Sequence, residues 1–243
     1  MSAPQIRRRL AELATAPVNY DADALDLEHP PPGWNVDARC QPLPAEPAGD
    51  PVADGSWEIG RRLIRGYEFA DPSLVRAHYD PGRPLEGREM LLELRALGLV
   101  RVYVGVRVVH VYDEVRHVDG GAARIFGWAY RTLQGHVEKG QMDWQVWKWL
   151  DTGEVQFRVH AVSRTAPIAN PFVRVGFWIL RNHERGVFLD STDRRMRTFT
   201  ELALERGQRG DRLREAGPGL TARRLPADDR SHEELARNVD RSM

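Results

Sequence analysis

The stretch VRVYVGVRVVHVY, residues 100–112, alternates along its length, with Val102, Val104, Val106 and Val108 on one side. β-Branched residues at every second position mark a strand with one buried face. His110 continues the valine parity, which places it inward with them. EVQFRVHAVS (154–163) alternates as cleanly, with Val155, Phe157, Val159 and Ala161 on one face and Gln156, Arg158 and His160 on the other. ARIFGWAYRTL (123–133) and QMDWQVWKWL (141–150) read as two further strands, and Asp151-Thr152-Gly153 as the tight turn into EVQFRVHAVS. REMLLELRALG (88–98), directly ahead of the valine strand, is assigned as a strand too. SWEIGRRLIRGYEF (56–69) is read as the first strand of the core. DPSLVRAHY (71–79) follows as a short helix with Asp71 as N-cap and Pro72 at its first position.

After Asn170 the period becomes helical. Asn170 as cap, Pro171 in the first turn and the stripe Phe172, Val175, Ile179 predict a helix that Gly186 is expected to interrupt. Met196, Phe199 and Leu202 then resume an inward stripe. Near the start, Ile6, Leu10 and Leu13 predict a short amphipathic helix over 4–14. Residues 29–55 are rich in proline, which blocks long helices and internal strands. They are read as an extended lead-in along the surface, with Trp34 as an anchor.

Strands in succession followed by a helix define an α+β domain. The architecture expected is a curved antiparallel sheet gripping a long C-terminal helix, with a cavity between them. The expected organisation is an N-terminal helix or tail over 1–17, a single α+β domain over 18–206 and a mobile charged tail over 207–243, where the apolar period runs out.

Composition narrows the function classes. A hydrophobic fraction of 42% and a charged fraction of 29% are ordinary for a globular protein. The formal net charge is +0, so nothing draws the whole chain to nucleic acid or to an anionic membrane. Lys139 and Lys148 are its only lysines, and the arginines are spread along the chain as in a GC-rich bacterial genome. Cys40 is the sole cysteine, which excludes an internal disulfide and a Cys-based zinc site and fits a reducing cytoplasm. The basic N-terminal stretch lacks the apolar run of a secretory signal, and no segment approaches the roughly 18 apolar residues of a membrane span. A cytoplasmic location is expected, with no nucleic-acid partner.

The candidate chemistry centres on YRTLQGHVEKGQMDW (130–144), where His136 and Glu138 lie between Gly135 and Gly140. At strand spacing the two share a face, and a carboxylate there is expected to raise the imidazole pKa into the range of an acid or base. A solvated hairpin tip is the competing reading. A zinc deaminase is excluded, because its metal needs a downstream Cys-x-x-Cys. Five tryptophans, Trp128, Trp144, Trp147, Trp149 and Trp178, lie within a short span, and parity puts Trp144 opposite Trp147 and Trp149. Indoles lining a cavity suit a flat apolar ligand and supply fixed N–H donors. Arg164 is placed to pair with Glu138 or to hold a ligand carboxylate. Walker, dinucleotide, nucleophile-elbow and His-Glu-x-x-His patterns are missing, so no cofactor or metal is expected.

FGWAYRTLQGHVEKGQ, VQFRVHAVSR and a helix opening NPFVRVGF, with PVNYDADALDLEHPPPGW and IGRRLIRGYEFADPSLV upstream, resemble the family called domain of unknown function 1990. The resemblance spans residues 18–203. This chain has Gln141 where the family more often has Glu, and Trp34 where it has Tyr. The resemblance implies a helix-grip, START-like or polyketide-cyclase-like fold, a class that binds apolar ligands and in part catalyses cyclisation or hydrolysis. Three readings follow. The first is a binder of a mostly apolar or aromatic small molecule, with Tyr130, Trp128, Trp144, His110, Arg164 and Trp178 as contacts. The second is a cofactor-independent cyclase, dehydratase or hydrolase using His136 and Glu138. The third is an interaction module working through an exposed Trp147–Trp149 face. A homodimer is a further candidate assembly.

Overall fold

The alternating stretches fold as one antiparallel sheet wrapped against helices. The computed structural model describes residues 1–96, 100–166 and 171–208, with backbone alone at 96, 100, 171–184 and 207–208. Its elements are α1 (Ala3–Leu13), β1 (Asn35–Leu43), α2 (Ser56–Gly66), β2 (Val75–His78), β3 (Glu89–Ala96), β4 (Val100–Val118), β5 (Gly121–Thr132), β6 (Glu138–Trp149), β7 (Val155–Thr165) and α3 (Pro171–Gln208). The seven strands stand in the order β1-β7-β6-β5-β4-β3-β2. Strands β2 to β7 therefore meander, and β1 returns to the edge beyond β7. The sheet's inner face carries α2 and α3. This is the expected α+β helix-grip architecture.

On the inner face, Val104, Val106 and Val108 of β4 join Trp128, Trp144, Phe157, Leu189 and Met196 in one buried cluster. His110 is not among them. A bulge between Val108 and His110 inserts one residue, so Tyr130 faces Val108 while Ala129 faces His110. The extra residue flips the parity, and His110 is exposed on the outer face.

Two further expectations are corrected. SWEIGRRLIRGYEF forms α2, not a strand. Trp57, Gly60, Ile64 and Tyr67 recur at helical spacing, and Gly60 hides the stripe because it carries no side chain. It is small because the helix lies close to β6: a Cβ there would stand 3.2 Å from both Val146 methyls. Trp57 Nε1 donates to Arg124 O and Val146 O, both at 3.2 Å, which fixes the helix on the sheet. DPSLVRAHY is a turn followed by β2. Asp71 accepts the N–H of Ser73 (2.8 Å), but the chain extends before a helix can form. The Pro-rich lead-in is extended and at the surface as expected, and part of it pairs with β7 as the edge strand β1.

Gly186 does not interrupt α3, which runs from Pro171 to Gln208. The expected cap Asn170 and the tail beyond 208 lie outside the described residues, as do the side chains of Phe172, Val175 and Ile179. On the outer face, α1 packs over β3 and β4 through buried Ile6. Arg107 of β4 donates to the carbonyls of Leu13 (2.7 Å), Ala14 (3.1 Å) and Ala16 (3.1 Å), closing the helix end with a cation. Among the described residues, no helix is long and apolar enough to cross a membrane.

Candidate functional site

The loop between β5 and β6 is built on two glycines and a threonine. Gly135 has φ 87°, the left-handed geometry a tight turn needs, and His136 N–H closes the turn on Leu133 O at 3.0 Å. Gly140 has φ 152°, and a Cβ there would lie 2.1 Å from Val162 O. Thr132 Oγ1 accepts the Gly140 N–H (2.9 Å) and donates to Asn19 Oδ1 (2.7 Å). Asn19 in turn donates to Glu138 O at 2.9 Å, so the start of β6 is held from three directions.

This scaffold separates His136 from the Glu138 carboxylate. The hydrogen bond between the two residues runs from Glu138 N–H to His136 Nδ1 (2.9 Å). Burial pushes the imidazole pKa down to about 4, and the Glu138 charge opposes that shift without overcoming it. The expected rise toward neutrality is thus reversed, because desolvation outweighs the ion pairing. A ring that accepts at Nδ1 and is neutral carries its proton on Nε2, so it offers a donor.

Glu138 turns to α3. Its Oε1 lies 3.4 Å from Arg185 Nη1, which also donates to Ser163 Oγ at 2.6 Å. Asp37 of β1 forms an ion pair with Arg185 Nη2. Asp37 Oδ2 and Arg185 Nη2 are the two atoms of that ion pair, and among the described residues Arg185 Nε is buried without a partner. Sequence reasoning missed Arg185, Asp37 and Ser163, which come together only through the β1–β7 pairing and the packing of α3 against it. Arg164, expected beside Glu138, is exposed and stacks on Trp34, its guanidinium carbon 4.9 Å from the ring centroid. Strand alternation turns it away from Ser163, onto the outer face.

Next to this polar end lies an aromatic basket. Trp144 is fully buried, with ring centroids of Phe69 at 4.4 Å, Tyr67 at 6.1 Å, Phe157 at 6.2 Å, Phe188 at 6.3 Å and Tyr130 at 6.5 Å. Its Nε1 has no hydrogen-bond partner among the described residues. Trp128 is also buried there, but its Nε1 is spent on Ile64 O at 3.0 Å, holding α2. Tyr130 Oη lies 3.2 Å from Met142 Sδ, and burial pushes its phenol pKa up. The structure therefore gathers Tyr130, Trp128 and Trp144 on one face with Glu138 and His136 at its end, and leaves His110 and Arg164 on the other. The side chain of Trp178, on α3, lies outside the described residues.

The outer face carries Trp147 and Trp149, as parity required. Trp147 is buried, with the Arg158 guanidinium 4.1 Å above its ring and Arg116 at 5.9 Å. Tyr112 crosses Gly127, where a Cβ would meet its ring at 2.5 Å, to donate to Asp143 Oδ1 at 2.7 Å. Cations and hydrogen bonds cover this aromatic row, which argues against a bare apolar patch.

A seven-stranded antiparallel sheet holding a long C-terminal helix defines a helix-grip protein. Residues 19–192 match the family described as domain of unknown function (DUF1990), and the chain belongs to that family. No curated protein matches it. Among solved structures it is similar to the di-domain ARO/CYC StfQ from the steffimycin biosynthetic pathway, with 14% identity, TM-score 0.43 and coverage of 70% of this chain and 52% of that one. It is also similar to a Thalictrum norcoclaurine synthase point mutant in complex with a transition-state analogue, with 12% identity, TM-score 0.42 and coverage of 72% and 96%. For Ara h 8.0201 the values are 10%, 0.38, 68% and 98%.

Proposed function

We propose that the protein binds a mostly apolar, ring-bearing small molecule between the inner face of the sheet and α3. The observation that carries this reading is Trp144: its indole N–H is buried inside a basket of rings and has no partner among the described residues. A buried donor left open is disfavoured by about 1–3 kcal/mol, unless something that accepts a hydrogen bond completes it. Tyr130 and Trp128 supply apolar wall, while His136 Nε2–H and Arg185 supply donors at the polar end. Such a wall with a few fixed donors suits a flat molecule carrying a carbonyl or ether oxygen.

Native mass spectrometry of protein from its own host should find a small molecule that co-purifies. A fluorescence titration with 1-hydroxyanthraquinone provides the controlled arm. Trp144→Phe keeps the ring and removes the donor, and should weaken the probe about 5- to 10-fold. The reading fails if neither a native molecule nor the probe binds. Unchanged affinity in Trp144→Phe removes the indole from it.

The catalytic reading with His136 and Glu138 draws on the same geometry. With Nδ1 engaged, His136 suits polarising a carbonyl oxygen better than removing a proton. Turnover lost in His136→Ala or Glu138→Gln, with probe affinity intact, would favour an enzyme.

A further inference from the structure

We propose that the free edge of β1 is an interface between two copies of this chain, with Ala38 on the two-fold axis. Strand β1 ends the sheet, and no strand lies beyond it among the described residues. Its pairing with β7 runs without a bulge from Asn35↔Ser163 to Leu43↔Val155. The backbone of β7 shows which groups of β1 are free. Ser163 O and Gly153 O face the β1 side, where they accept from Asn35 Nδ2 and Glu46 N, whereas Glu154 O accepts from Trp149 N of β6 and Ala166 N donates to Val137 O just ahead of β6. Odd-numbered residues of β7 therefore serve β1. By register, Asn35, Asp37, Arg39, Gln41 and Leu43 turn their backbone groups to β7. The groups of Val36, Ala38 and Cys40 point outward.

The composition of this edge fits that reading. Pro42 falls in the outward set, where its missing N–H takes nothing from the sheet, and its carbonyl accepts from Gln41 Nε2 at 2.8 Å. The usable window is thus Val36 to Cys40. Val36, Ala38 and Cys40 are all exposed, Val36 to 49%. None of the three is a lysine or another charge of the kind that guards an edge against pairing.

Charge selects both the partner and the register. An isologous antiparallel pair centred on Ala38 sets Val36 against Cys40 of the second copy and Asp37 against Arg39 of the second copy. Shifting the centre by one residue either way opposes Asp37 to Asp37 or Arg39 to Arg39, which is destabilising. Within each copy Asp37 already meets Arg185, and Arg39 meets Asp190 at 3.1 Å. The pairing would join these into a charge-alternating row across the two-fold. It would also connect the Asp37–Arg185 end of each candidate site to the other copy.

The test measures mass by sedimentation at concentrations on the order of 100 µM, where a short strand pairing is populated. The wild type should sediment as twice its 27.7 kDa. Ala38→Pro deletes an outward N–H and spares the β7 ladder, and it should be monomeric with an unchanged circular dichroism spectrum. In a Cys40→Ser background, Ala38→Cys should oxidise to a covalent dimer, because a hydrogen-bonded pair holds Cα atoms about 5.5 Å apart, within disulfide reach. Val36→Cys in the same background should not. A monomeric wild type assigns the edge to some other occupant and overturns the proposal. So does a dimer that cross-links at 36 and not at 38, or one that survives Ala38→Pro.

Discussion

The two ends of β6 each bury an ion pair on the inner face, and they are built differently. At one end Lys148, with no exposed surface, donates to Glu46 Oε2 (2.7 Å) and Asp50 O (2.8 Å). Glu46 also accepts the N–H groups of Val52 (3.0 Å) and Trp57 (2.7 Å). The second of these is an orphan donor in the first turn of α2, where Gly55 as N-cap offers no side chain. No atom of that pair lacks a partner. At the other end, Glu138, Asp37 and Ser163 surround Arg185, yet Arg185 Nε and nearby Trp144 Nε1 stay unmatched among the described residues. A closed pair locks scaffold, while an open one leaves hydrogen-bonding capacity that a ligand can complete.

The sharpest way to break this contrast is to remove each cation. Lys148→Met leaves the Glu46 carboxylate buried without its counter-charge, and urea unfolding should show a loss of about 3–5 kcal/mol. A loss below about 1 kcal/mol would mean that the closed end is not scaffold.

The next effect is read in pH. Burial holds folded His136 near 4, against 6.5 for an unburied ring. Between those values the unfolded chain binds the extra proton. The stabilisation is therefore complete above about pH 6.5 and falls as pH drops toward 4, by at most about 3 kcal/mol. His136→Asn keeps an acceptor for the Glu138 N–H and cannot titrate, so the stability difference between variant and wild type should shrink across that window. A difference that is flat with pH would show that the ring titrates normally.

The smallest expected effect on stability belongs to Arg185→Met, about 1–2 kcal/mol, because this partly solvated cluster is incompletely paired. Its larger effect should fall on anthraquinone affinity, a loss of about 5-fold. If the variant costs as much as Lys148→Met and binds the probe normally, the two ends of β6 are alike.

Much of the fold was readable because strand alternation is dense and regular. β4, β5, β6 and β7 follow it, and the inner and outer tryptophans separate by parity alone. Two of the misreadings share a form, a single position that breaks the local pattern. Gly60 erases one member of the α2 stripe because Val146 needs the space. One extra residue in β4 exchanges the faces beyond Val108 and carries His110 outward. The site was only half legible. Tyr130, Trp144, His136 and Glu138 lie close in sequence, whereas Asp37 and Arg185 come from opposite ends of the domain and carry no local signal. The His136–Glu138 spacing pointed to the right loop and the wrong contact, since spacing says nothing about a main-chain N–H competing for the ring.

The placement of β1 also has a consequence in time. Asn35 meets Ser163 across 128 residues of chain, among the more distant pairings in the sheet. Closing so long a loop is entropically costly, and folds rich in such contacts form slowly. Strands β2 to β7 can zip neighbour to neighbour while β1 waits. Without β1, β7 would be the edge of the sheet, open along the register from Val155 to Ser163. β1 covers that border with a strand whose inward charges, Asp37 and Arg39, are answered by Arg185 and Asp190 of α3, so the first strand in the chain ties the far end of the sheet to the last helix described.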